Sequence, residues 1–98
     1  MAPIDPLRSS AVVDDLRARC PWLGIAPAAV FLDDAARAAL APYVAGVQHV
    51  AAAIDVDWTR VDLAAGTALF RARIADAHPE LDAQALDALA AQFSYAWR

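Results

Sequence analysis

Six prolines, at positions 3, 6, 21, 27, 42 and 79, limit the length of any regular element in this chain. A proline inside a helix removes a backbone hydrogen bond and drives its ring against the carbonyl four residues back, and it holds the preceding residue out of helical geometry. The intervening segments are rich in alanine; 60% of the chain is apolar but only 8% aromatic. Alanine loses least on entering a helix, so the bias is helical. No useful stretch shows the period-two alternation of a half-buried strand. These features predict an all-α fold, a compact orthogonal bundle of four to five short helices with no sheet. Ninety-eight residues leave room for one core, so residues 1–98 are expected to form a single helical domain in which 1–4 fray.

The boundaries follow from caps and prolines. Asp5 is an N-cap candidate and Pro6 suits the first helical position, with Leu7, Ala11, Val12, Leu16 and Cys20 as the apolar stripe. Pro21 should end this helix at about Arg19, leaving Pro21-Trp22-Leu23-Gly24 as a turn whose Trp22 folds back onto the core. A second helix is expected from Pro27, stapled by Ile25 and Val30, with Phe31, Ala35, Ala38 and Ala39 on its apolar side. Pro42 reads as a junction after Leu40-Ala41, and Tyr43, Val47, Val50, Ala51 and Ile54 as the stripe of a third helix. The fourth is expected from Asp57, with Asp62 as the alternative cap; its two apolar faces suggest a central position, and it should end at His78 before Pro79. The last begins at the Asp82 cap and carries Leu86, Leu89, Ala90, Phe93 and Trp97 in register.

Charge and composition exclude several classes. Arginine and aspartate supply nearly all the charge, there is no lysine and Glu80 is the only glutamate; with the alanine excess this suggests a GC-rich bacterial genome. A net charge of −4 argues against nucleic acid, which needs a clustered basic face, and leaves room for a basic protein partner. A lone cysteine, Cys20, excludes an internal disulfide. The N-terminus lacks the basic start and apolar core of a signal peptide, and no apolar run approaches the roughly 20 residues of a membrane span. A cytoplasmic protein with no membrane contact is expected.

Chemistry is sparse. Cys20 lies on an apolar stripe and reads as a small core residue rather than a nucleophile. His49 and His78 fall on different expected helices, too few for a metal centre, and His78 suits a helix C-terminus. Asp55-Val56-Asp57 has carboxylate spacing but lacks the Asp or Asn at Thr59 and the glycine at Arg60 of a calcium loop. Gly24, Gly46 and Gly66 are isolated, so no phosphate loop exists. The expectation is no catalytic residue, no metal and no cofactor.

Trp22-Leu23-Gly24 resembles the tripeptide of the WXG-type helical hairpins, but it comes early in the chain, the prolines preclude two long helices, and nothing after Tyr95 matches that family's tail motif. No family membership follows. The C-terminal run Phe93-Ser94-Tyr95-Ala96-Trp97-Arg98 has two readings: Phe93 and Trp97 anchor the core, or Tyr95, Trp97 and Arg98 form a partner-binding patch of the residue types enriched at interface hot spots. The leading functional expectation is a small acidic, non-enzymatic interaction module, an adaptor, immunity protein or antitoxin, binding a larger protein. The alternative is a small-molecule-binding domain or accessory subunit with a pocket lined by Trp22, Tyr43, Trp58 and Phe70. The high apolar content also makes homodimerisation an expectation.

Overall fold

A computed structural model of the chain describes residues 3–97, and these contain four α-helices and no strand. The helices are α1 (Pro6–Arg19), α2 (Asp34–Ala53), α3 (Leu63–Ala77) and α4 (Ala83–Ala96), with a single 3-10 turn at Pro21–Leu23. Every α-helix opens on an aspartate cap. Asp5, Asp33, Asp62 and Asp82 each accept a hydrogen bond from the backbone N–H three residues on, at 3.1, 2.8, 2.8 and 2.9 Å. Each bond satisfies one of the donors that a helix start leaves open and sets a carboxylate at the positive end of the helix dipole.

The core lies where α1, α2, α3 and α4 meet, built from Val12, Val13 and Leu16 of α1, Val44 and Val47 of α2, Phe70 and Ile74 of α3 and Leu86 and Leu89 of α4. α3 and α4 form a helical hairpin across the short link at Pro79. α4 lies against α3 and α1, and α1 in turn against α2, so α1 and α4 hold the middle of the bundle. The expectation of a central α3 fails because only Gly66, Phe70 and Ile74 on it are buried; its second apolar face is largely alanine left facing solvent.

α1 packs through the expected Ala11, Val12, Leu16 and Cys20, widened on the N-terminal side beyond its aliphatic residues. Leu7 is exposed, while Ser9 and Ser10 are buried with Val12, Val13 and Leu16. The Ser9 hydroxyl accepts the Asp82 backbone N–H at 3.0 Å, and the Ser10 hydroxyl accepts that of Val30 at 3.1 Å. Each small hydroxyl therefore admits a neighbouring segment close to α1 and satisfies a backbone donor there. The Asp5 N–H, bonded to the Glu80 carbonyl at 2.8 Å, ties the start of α1 to the same link. This bond lies immediately after residues 1–4, the segment expected to fray, of which residues 1 and 2 lie outside the described residues.

Three expected boundaries are corrected. The second helix starts at Asp34, not Pro27: residues 24–33 are irregular, and Phe31, assigned to an apolar helix face, is exposed. Pro42 does not separate two helices, because α2 runs through it to Ala53. Pro42 and Ala38 are both on the exposed side, so the Ala38 carbonyl that loses its partner faces water, while Tyr43, Val44 and Val47 hold the helix to the core. Asp57 is not a helix cap, because Thr59 takes its carboxylate through both its backbone N–H at 3.1 Å and its hydroxyl. Asp62 caps α3 instead.

Replacing Pro42 by alanine restores the missing α2 hydrogen bond and removes the ring clash, offset in part by greater unfolded-chain freedom. The expected result is a stability gain of about 1–2 kcal/mol, measured as a raised denaturant midpoint; a lowered midpoint would show that the proline is needed to shape α2.

Candidate functional site

Two settings gather the chemistry-bearing side chains, one polar and one aromatic, at opposite ends of α4. At its N-terminal end, the link after α3 places Glu80 between Tyr43 of α2 and His78, the C-cap of α3. One carboxylate oxygen, Oε2, accepts a short hydrogen bond from the Tyr43 hydroxyl and lies 2.9 Å from His78 Nδ1. A carboxylate only accepts, so the histidine Nδ1 carries the proton and donates it to this bond. His78 Nε2 is buried with no hydrogen-bond partner among the described residues. The Arg8 guanidinium sits 4.8 Å from the centre of the Tyr43 ring, a cation–π arrangement that brings α1 into the cluster.

The electrostatics follow from this geometry. Burial pushes the Glu80 carboxyl up, but the hydrogen bonds from Tyr43, its own backbone N–H and His78 together outweigh burial and hold it below the ordinary value of 4.5. Burial raises the Tyr43 hydroxyl well above its ordinary value, helped by the bond to Glu80 and opposed by Arg8. A hydroxyl that resists ionisation and a carboxylate that resists protonation, locked on one another, make a rigid joint. Neither is poised to exchange a proton near neutrality.

At the other end of α4, Phe93 stacks on buried Phe70 with centroids 4.2 Å apart and planes 8° from parallel. Trp58 stacks over Phe93 at 5.8 Å, and Trp97 closes against Trp58 at 5.2 Å. The rings thus lead from the core to the surface. Gly66 makes this arrangement fit: a Cβ there would stand 2.5 Å from the Trp58 ring and 3.2 Å from Val56. Beside this stack, Trp22 and Tyr95 meet at 6.0 Å. Trp22 reaches that position because the 3-10 turn carrying it packs on α4 and closes at Gly24, whose φ of +66 is the left-handed geometry that glycine adopts without strain.

Trp22 is 60% exposed, Trp97 56% and Tyr95 49%. Trp22 therefore does not fold back onto the core, and Trp97 is not a core anchor although Phe93 is half-buried against it. The partner-patch residues Tyr95 and Trp97 lie on this end with Trp22 and Trp58, while Arg98 lies outside the described residues. Of the four residues expected to line a pocket, Trp58 and Phe70 are joined through Phe93, Tyr43 belongs to the Glu80 joint, and Trp22 stands against Tyr95. A separate groove of about 640 Å³ opens between α1 and α2, lined by Ala11, Leu32, Ala41, Val44 and Ala45 together with the Asp14–Arg37 ion pair at 2.8 Å.

Sequence reasoning missed the Glu80 joint and the groove. A single glutamate in a chain otherwise using aspartate, set directly after a proline and two residues from a histidine, was the available signal for the joint. Among the described residues, no group of three or more His, Cys, Asp or Glu side chains gathers as a metal site, and no helix is long and apolar enough to cross a membrane. The chain matches no known protein family, no curated protein and no solved structure.

Two measurements test this geometry. Gly66→Ala forces the Trp58 ring off α3, and we expect a loss of about 1–3 kcal/mol with a changed near-ultraviolet circular dichroism spectrum; an unaltered spectrum would contradict the close contact. Because the folded-state pKa of Glu80 is depressed, its stabilisation is present above the unfolded value near 4.5 and is lost as pH falls through the folded value. Tyr43, raised in the folded state, contributes below its unfolded value of 10.0 and loses that contribution as pH rises past it. The stability difference between wild type and Glu80→Gln should therefore be full at neutrality and shrink as the pH falls below the unfolded value of 4.5; a difference independent of pH would dismiss the ionised joint.

Proposed function

We propose that this chain is a small acidic, non-enzymatic interaction module of the bacterial cytoplasm, of the adaptor, immunity-protein or antitoxin kind, which engages a larger protein through the aromatic end of α4. The observation that carries this reading is the placing of Trp22, Tyr95 and Trp97, all about half exposed or more, at one end of the bundle by the 3-10 turn and the C-terminal end of α4. Tryptophan and tyrosine are the residues most enriched at interface hot spots, and each gains from leaving water. The stack beneath Trp97 favours the same reading: Trp58 and Phe93 back that ring, and Phe70 backs Phe93, so there a partner meets a firm platform and little side-chain freedom is lost on binding. The net charge of −4 suits a partner with a basic rim around its contact.

The test begins with affinity capture from bacterial lysate at low and high salt, and continues with the purified captured protein. Trp22→Ala and Tyr95→Ala are each expected to weaken binding about 10- to 100-fold with helical circular dichroism unchanged, since neither side chain is in the core. Release at high salt would show that opposite charge contributes to the contact. Unchanged affinity in both variants would sink the patch, and a folded bait that captures no stoichiometric protein would count against the interaction reading itself.

A further inference from the structure

We draw no further inference here: the strongest candidate, the apolar groove between α1 and α2, has its Asp14 and Asp15 carboxylates matched by Arg37 and Arg19 of the same chain, and nothing in the structure shows what covers it.

Discussion

The packing of α1 on α4 is the constraint on which the rest of the bundle depends, and it rests on a hydroxyl rather than a large apolar side chain. Ser9 is buried at the seam and accepts the backbone N–H of Asp82, the cap residue of α4. A bulkier residue would hold α4 away, and an alanine would leave a buried backbone donor without a partner, at a cost of about 1–3 kcal/mol. With that seam fixed, Asp5 reaches the Glu80 carbonyl, and the link after α3 delivers the Glu80 side chain to Tyr43 and His78. All four helices are thus referenced to one corner of the molecule. At the far end of α4, stacked aromatic rings close the structure and reach the surface.

This division of labour explains why the molecule presents its aromatic rings at one end. Hydrogen bonds to a partly buried carboxylate fix position and direction, since misplaced donors cost desolvation without return. Stacked rings tolerate sliding and tilt; the interplanar angles in the cluster run from 8° to 52°. The polar corner therefore sets the geometry of the bundle, while the aromatic end closes it by ring packing.

The parts legible in the sequence were those governed by residues close together in the chain. Asp5-Pro6 and Asp82 mark helix starts because cap and amide lie three residues apart, and Pro79 after His78 marks a stop for an equally local reason. Residues 24–33 misled because Pro27, Ile25 and Val30 have the spacing of a helix start, whereas their actual partners are distant: Gln84 donates to the Pro27 carbonyl and Ser10 accepts from Val30. Asp33-Asp34 ahead of an alanine run was the better signal, an N-cap followed by an acid in the first turn. Trp22 and Trp97 have the residue type of core anchors, and only tertiary placement decides whether such rings turn inward. Tyr95 and Trp97 were expected as a patch from residue type alone and are both exposed, whereas Trp22 meets Tyr95 from a turn 73 residues earlier in the chain, which no local pattern signals.

The Ser9–Asp82 bond joins positions 73 residues apart, and that separation bears on how the chain is made as well as on how it stands. During synthesis the first helix leaves the ribosome long before the helix that covers it, at about 5–20 residues per second. Val12, Val13 and Leu16 then wait several seconds in water for Leu86 and Leu89 to arrive. In that interval the nascent segment is open to chaperones and to neighbouring nascent chains. The same long loop slows closure of the bundle, because the ends must find each other before the contacts that reward the search exist. A polar side chain on the waiting helix has a second use in this light: Ser9 and Ser10 interrupt the apolar face that α1 shows to the cell before its partner is translated.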